Sequence, residues 1–192
     1  MVREAVEERA GEPFRTEHRS PFVRMAGCWS TVRPTVFLEG FFLRFAAAGV
    51  RDADELTLPM GSGKTSPISA IDVARAVSAI LDDPLPHIGH VYNLTGLESA
   101  DLDHYARAFS QALGRTIRYR NVSLPAWSQK LLEAGVPAHI VSHVSVMAAL
   151  NAHGRYDRMT DDLFNLTGEA PMSMRDFVKL HAAEFTPRET AA

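Results

Sequence analysis

Residues 61–96 constrain the fold more strongly than any other stretch of this sequence. Apolar residues recur there at intervals of three and four, which predicts one face of a helix: Ile71, Ala74, Val77, Ile80 and Leu81. Either Ser69 or Asp72 can cap the start of that helix, and Pro84 ends it. The apolar, β-prone residues 90–94 then predict a short buried strand. A helix followed by a buried strand is typical of an α/β sheet.

A glycine-rich turn opens this stretch, and residues 61–65 (GSGKT) resemble the end of a phosphate-binding P-loop. The full motif needs a glycine five residues before Gly63, where this sequence has Leu58. It also needs a helix directly afterwards, whereas residues 66–68 read SPI. The pattern therefore favours an ordinary turn between two short strands over a nucleoside triphosphate site.

The same signals predict the remaining elements. Further strands are predicted at residues 29–34 and 116–122, where Thr, Val, Ile and aromatic residues suit a pleated surface. Helices are predicted over residues 38–49 with Gly49 as the end, residues 101–114 with Asp101 as the cap and Gly114 as the end, and two segments after Pro125 that form a helical lobe. Residues 164–168 (FNLTG) repeat the pattern of residues 92–96 (YNLTG). The repeat predicts a strand followed by a turn at both places.

Composition bounds the class of protein. The 192 residues suit one domain or two small lobes, and the 46% apolar fraction is enough for a core. The net charge of −3 does not favour a nucleic-acid partner. Cys28 has no second cysteine to pair with, and no run approaches the roughly 20 apolar residues of a membrane span. We therefore expect a cytoplasmic protein with no membrane or nucleic-acid partner.

No reaction centre stands out among the titratable residues. His139 and His143 have the one-turn spacing of a metal-binding pair, but the glutamate of the HExxH motif and a third ligand are lacking. Surface histidines are favoured over a metal site. None of the four tyrosines has a lysine four residues later, the pair that a short-chain dehydrogenase uses to transfer a proton. The sequence thus predicts no metal and leaves the catalytic residues unknown.

Four motifs, taken in order, resemble one known family. They are residues 31–39 (TVRPTVFLE), residues 66–74 (SPI, then DVA), residues 92–96 (YNLTG) and residues 112–115 (ALGR). Over residues 29–187 the sequence resembles the C-terminal half of the NmrA-like, atypical short-chain dehydrogenase family. In that family an N-terminal Rossmann half binds NAD(P), and the C-terminal half supplies the last strands and a lobe that closes the substrate cleft. Members include quinone, azo and isoflavone-type reductases and redox-sensing regulators.

The resemblance implies a fold class and a set of site residues. We expect an α/β protein with a partial Rossmann-like parallel sheet and a small, mostly helical substrate-binding lobe. The implied cofactor-binding residues are Arg33, Pro34 and Thr35, and the implied substrate-binding residues are Phe37, Glu39, Phe41 and Trp127. The implied cofactor is NADP or NAD, and the implied ligand is a small-molecule substrate.

One family feature is lacking from these 192 residues, since no GxGxxG or GxxGxxG follows a strand. Residues 1–28 are expected to be a remnant of the first half or irregular, and residues 188–192 a tail. A half sheet would leave one strand edge unpaired, which predicts a homodimer or another partner over that edge. The expected function is that of a truncated NAD(P)-dependent oxidoreductase-type protein without the glycine-rich dinucleotide loop, for which catalysis by the chain on its own is left open. The alternatives are a non-catalytic ligand-binding or redox-sensing regulatory protein of the same fold, and an inactive fragment.

Overall fold

The computed structural model describes residues 29–187. Within that range the strands are β1 (Thr31–Pro34), β2 (Glu55–Leu58), β3 (Val91–Leu94) and β4 (Arg118–Asn121). The helices are a π-helix (Glu39–Ala46), α1 (Ala47–Ala53), α2 (Ala70–Asp82), a short 3-10 helix (Leu85–His87), α3 (Leu102–Leu113), α4 (Leu124–Glu133), α5 (Ala138–Ala152), α6 (Asp162–Thr167), α7 (Met174–Leu180) and α8 (Ala182–Phe185). None of the described helices is both long enough and apolar enough to cross a bilayer.

The four strands form two separate pairs, and both pairs are parallel. β1 lies beside β3 with Val32 opposite Tyr92, and β2 lies beside β4 with Leu56 opposite Tyr119. Parallel neighbours need long crossover connections, and helices supply them here. The predicted α/β class with a partial parallel sheet and a helical lobe is confirmed.

Helix α2 forms where the sequence predicts it, but it buries a different face. Ser69 is the cap, because its hydroxyl oxygen accepts the Asp72 backbone N–H at 3.0 Å. The helix packs on the β1–β3 sheet through Ala76 and the partly buried Val73, and Ile80 is also buried. Of the predicted face only Ile80 is buried, while Ile71, Ala74, Val77 and Leu81 are exposed. Spacing alone misassigned the face because α2 carries apolar residues on two sides and only one of them meets the sheet.

The helix predicted over residues 38–49 runs further than expected. It begins as the π-helix and continues as α1 through Gly49, so the predicted end is wrong. Asp54 ends it instead, with a left-handed backbone at φ 58°. Gly49 is required for another reason: a Cβ atom there would lie 2.6 Å from the carbonyl oxygen of Glu55, at the start of β2.

The predicted second strand at residues 164–168 is also wrong, because these residues belong to helix α6 and its C-terminal end at Gly168. Leu163 and Leu166, three residues apart, both pack against the small core beneath α2. The two similar sequences therefore fold differently. Leu163 and Leu166 have helical spacing, and both contact the small core when these residues form a helix.

Buried apolar residues form two cores of unequal size. The small core lies between α2, the β1–β3 sheet and α6, and its buried members are Ile68, Ala76, Leu94 and Leu163. The large core lies between the β2–β4 pair and the surrounding helices and is rich in aromatic rings. Phe109 lies 5.6 Å from Phe42 and 5.0 Å from Phe185 between ring centroids. The large core thus has many more buried apolar residues than the small core beside the β1–β3 pair.

Candidate functional site

The C-terminal end of β1 joins the sheet to the helical lobe. Beyond Pro34 the chain stays extended, and the Thr35 N–H donates to the carbonyl of Leu94 at 2.9 Å. Ile68 then lies alongside, where its N–H donates to Val36 and its carbonyl accepts from Leu38, both at 2.9 Å. We call residues 35–38, 66–68 and 95–96 the strand-end junction.

The carbonyl of Ser66 holds this junction together. It accepts the Thr35 hydroxyl at 2.5 Å and the Gly96 N–H at 3.0 Å, so the ends of β1 and β3 converge on it. Gly96 approaches so closely that a Cβ atom there would lie 1.9 Å from the carbonyl oxygen of Pro67. In open α/β sheets, ligands bind outside the carboxyl ends of the strands, which is where this junction lies.

The three predicted cofactor-binding residues differ in what they can offer. Arg33 is exposed, and its guanidinium has no hydrogen-bond or ion-pair partner among residues 29–187. Pro34 is half-buried in β1 and carries no polar side chain. Thr35 is buried, and its hydroxyl is already bonded to Ser66. Only Arg33 presents an uncommitted polar group.

Of the predicted substrate-binding residues, Phe37 lies in the strand-end junction and Glu39 directly follows it. Phe37 is 38% exposed, and its backbone is fixed by a parallel bridge to Ile68. The Glu39 carboxylate accepts the Ala70 N–H at 3.0 and 3.2 Å, at the first turn of α2. Helix N-termini carry partial positive charge, so this carboxylate is held in place by the helix. Phe37 is therefore available to a ligand, and Glu39 has a structural partner.

The other two, Phe41 and Trp127, are each only 4% exposed. They are linked through Phe45, whose ring centroid lies 6.2 Å from that of Phe41 and 5.8 Å from that of Trp127. These rings support the large core behind the junction. Their contact with a substrate stays a prediction.

The N-termini of α2, α3 and α4 do not fit the pyrophosphate of a dinucleotide, and the uncapped start of α5 at Ala138 belongs to the helical lobe. A phosphate needs free backbone N–H groups at a helix N-terminus or in a glycine-rich loop. The first turns of α2, α3 and α4 already use their own side-chain caps, Ser69, Asp101 and Ser123. The Glu39 carboxylate at α2 would also repel a phosphate there. The starts of α2 and α3, which lie nearest the strand-end junction, thus offer no free helix N-terminus to a phosphate.

The glycine-rich turn is likewise occupied by its own contacts. The Gly61 N–H donates to the side-chain oxygen of Asn121 at 3.0 Å, and the Gly63 N–H donates to the carbonyl of Met60 at 3.0 Å. The next helix, α2, begins only at Ala70, and isolated bridges at Thr65 and Ile68 stand where a second strand was predicted. The turn is structural.

The buried side chain of Tyr105 lies beneath the strand-end junction and supports it. Its hydroxyl donates to the carbonyls of Thr65 and Glu98, at 2.8 and 3.1 Å. Burial raises the pKa of Tyr105 well above its ordinary value, so the phenol stays neutral. A small cavity of about 10 Å³ lies beside it, which is room for about one water molecule.

Two further candidates lie away from the junction. A polar cleft of about 330 Å³ opens at the start of β2 and β4, but its carboxylates, Asp54 and Glu55, already pair with Arg115 and Arg120. His139 and His143 are both exposed, and residues 29–187 bring no three metal-ligating side chains together. Cys28 lies outside the described residues.

No protein-family model matches the sequence. An uncharacterised oxidoreductase of Bacillus subtilis is 30% identical over 159 residues, which are 82% of this chain and 55% of that protein. The NAD(P)H azoreductase of Xenophilus azovorans is 29% identical, over 82% of this chain and 54% of the enzyme. Agroclavine dehydrogenase of Claviceps fusiformis is 30% identical, over 78% and 52% respectively.

Solved structures resemble this fold over the same share of their length. A nucleoside-diphosphate-sugar epimerase from Staphylococcus aureus has a TM-score of 0.69 at 26% identity, covering 80% of this chain and 53% of that one. NmrA, a negative transcriptional regulator in complex with NAD, has a TM-score of 0.62 at 18% identity, covering 82% and 54%. The chain resembles the C-terminal half of the NmrA-like family of NAD(P)-binding reductases. It spans about half the length of the relatives it matches, and the match falls in their C-terminal half.

Two residues hold the strand-end junction together although the sequence analysis gave them no such role. Ser66 acts through its backbone carbonyl, for which side-chain chemistry gives no signal. Gly96 stands within a recognised motif, but its role is the close approach to Pro67. A glycine directly after a strand was the available clue to that approach.

Proposed function

We propose that this chain is the substrate-side half of an NmrA-like NAD(P)-dependent oxidoreductase and that its strand-end junction forms the nicotinamide end of the site. The observation that carries the proposal is the exposed ring of Phe37 at the carboxyl end of β1, fixed by backbone bonds on both sides. Relatives named as an NAD(P)H azoreductase and as dehydrogenases support it. In this proposal the protein acts in the cytoplasm.

Each of the predicted site residues has a distinct role in this proposal. Phe37 offers an apolar face to a planar ring, and Arg33 offers a guanidinium that has no partner among residues 29–187, the group best suited to a phosphate or carboxylate. Thr35 and Glu39 hold the backbone that presents Phe37. Phe41 and Trp127 stiffen the wall behind it. The substrate class that fits is a small, planar, largely apolar acceptor, as in the named azoreductase relative.

Because no phosphate cradle is described, the chain alone should bind NADPH or NADH more weakly than about 1 mM. The test is a fluorescence titration of the 192-residue chain with each cofactor, repeated with the N-terminal half of a relative present. We expect binding and quinone or azo-dye reduction only in the mixture. Binding tighter than 1 mM by the chain alone, or no turnover from a mixture that binds cofactor, would contradict the proposal.

Substitution at the junction sharpens that test. Phe37→Ala should weaken substrate use by the mixture about tenfold, because a ring that packs on the substrate is lost. Phe164 offers the matched control, since it is also exposed but lies on α6 beyond the other edge of the sheet. Phe164→Ala should leave KM and kcat unchanged.

A non-catalytic function is the second candidate, and the likeness to NmrA in complex with NAD favours it. It predicts cofactor binding by the mixture with no oxidation of NADPH in the presence of quinones or azo dyes. The same titration and turnover assay therefore separates a sensor from an enzyme.

A further inference from the structure

Gly40 is the only described glycine whose lack of a side chain has no steric reason. A Cβ atom at Gly49, Gly63 or Gly96 would lie 2.6 Å or less from backbone, and the other glycines of residues 29–187 have a positive φ. At Gly40 the φ is not positive, and a Cβ atom would meet nothing nearer than the Phe37 Cβ, at 4.0 Å. Glycine is also the poorest helix former after proline, yet Gly40 lies in the first turn of the π-helix. What this glycine provides is therefore open space beside Phe37.

The open space lies in a row of residues that share one face. The Phe41 N–H donates to the Phe37 carbonyl at 3.4 Å, so helical geometry begins at Phe37. Residues three and four apart are neighbours on a helix surface, and the slightly wider π-helical turn preserves this, so Phe37, Gly40 and Arg44 lie in line. Phe37 and Arg44 are exposed at the two ends, and Gly40 is half-buried between them. We call these three residues the Gly40 subsite.

The backbone that carries the Gly40 subsite is fixed on both sides. On one side the Glu39 carboxylate accepts the Ala70 N–H at the start of α2. On the other side the partly buried ring of Phe45 packs between Phe41 and Trp127 in the large core. π-Helical turns are rare, and they occur frequently at functional sites. The subsite is therefore a rigid surface with an aromatic ring at one end.

Arg44 gives the Gly40 subsite a positively charged end. Arg44 is exposed, and its guanidinium has no hydrogen-bond or ion-pair partner within residues 29–187. Glu39, the nearest acidic residue along the sequence, is bonded to Ala70 instead. A guanidinium binds an oxyanion through two parallel N–H bonds. An anionic group at this end would therefore find a partner that the described part of the chain leaves uncommitted.

We infer that Gly40 and Arg44 select, as the substrate of this site, a planar acceptor that carries an anionic substituent. The ring would stack on Phe37 and extend over Gly40, and the substituent would reach the Arg44 guanidinium. The inference rests on the proposed function and narrows its substrate class. Gly40 then decides whether an extended ring system fits, and Arg44 decides the preference for an anion over a neutral analogue.

The test compares two dyes that differ by one charged group, hydroxyazobenzene and its sulfonate, as ligands of the 192-residue chain. Amide chemical shifts in NMR titrations give both the affinity and the place of binding. We expect the sulfonate to bind about tenfold more tightly than the neutral dye, because it adds a charge-assisted hydrogen bond. The largest shifts should fall at Phe37, Gly40 and Arg44. Equal affinities, or shifts confined to other residues, would overturn the inference.

Variants at Gly40 test the open space. Gly40→Leu should weaken binding of both dyes at least tenfold, because its side chain would occupy the place of the ring. Gly40→Ala fits without strain and should weaken binding of both dyes severalfold. Ala74→Leu is the control, since it puts the same side chain at an exposed position on α2 and should bind both dyes as the unchanged chain does. Equal loss in both leucine variants, or no loss at Gly40, would contradict this use of the space.

Variants at Arg44 test the charge. Arg44→Gln should remove the preference for the sulfonate and leave the affinity for the neutral dye unchanged. Arg107→Gln is the control, because Arg107 is also exposed and without a partner in residues 29–187 but lies on α3. A preference that survives Arg44→Gln and is lost in Arg33→Gln would assign the anion to Arg33 and overturn the inference.

Two results separate this inference from the proposed function. A sulfonate preference that depends on Arg44, in a chain whose mixture with a relative's N-terminal half binds NADPH but reduces neither dye, supports the subsite and overturns the proposed function. Reduction of both dyes with equal kcat/KM, unchanged by Arg44→Gln, supports the proposed function and overturns the anionic substrate class inferred here.

Discussion

At the scale of single residues, close backbone contacts fix the strand-end junction. Gly96 has no space for a side chain, because its Cβ would lie 1.9 Å from the Pro67 carbonyl oxygen. Backbone on both sides must move to relieve that contact, so Gly96→Ala should lower the free energy of unfolding by about 1–3 kcal/mol. Urea titration followed by circular dichroism measures the change. Gly40→Ala is the control: its nearest neighbour is 4.0 Å away, and a helical alanine should be neutral or up to ~1 kcal/mol stabilising.

Tyr105 gives a second prediction at this scale, in the pH dependence of stability. Burial raises the pKa of its phenol from the ordinary value of 10.0, whereas the unfolded chain ionises near that value. The unfolded state therefore loses its proton first, and stability should fall as the pH rises above about 10. Tyr105→Phe should reduce that fall and cost about 0.5–1.5 kcal/mol at neutral pH, because the bonds to Thr65 and Glu98 are lost. An alkaline slope unchanged by the substitution would contradict this assignment.

At the scale of elements, a buried carboxylate joins α2 to the segment before α7. Asp72 is 1% exposed, and it accepts the Arg75 guanidinium at 2.5 Å and the Met172 N–H at 2.9 Å. Asp72→Ala should cost about 1–3 kcal/mol, since both donors lose their acceptor. Asp83→Ala is the control, because Asp83 is exposed at the end of the same helix. Equal unfolding midpoints in urea for the two variants would rule out this role for Asp72.

The elements also show what sequence could and could not predict. Helix α3 has the predicted cap and end, Asp101 and Gly114, because both act within four residues of their partners. The buried face of α2 was not predictable from spacing, since tertiary contacts chose between two apolar sides. The same limit applies to the junction. Its position followed from a recognised motif, but the bond from Thr35 to Ser66 spans 31 residues and leaves no local pattern.

At the scale of the whole molecule, the two cores should differ in stability. The core beside the β1–β3 pair has four fully buried apolar residues, and one edge of that pair has no partner strand within residues 29–187, whereas the large core has many more buried apolar residues, several of them aromatic. Local opening takes least free energy where few apolar contacts are broken. In native-state hydrogen exchange, the amide of Tyr92 in β3 should therefore open at a lower free energy than that of Phe109 in α3.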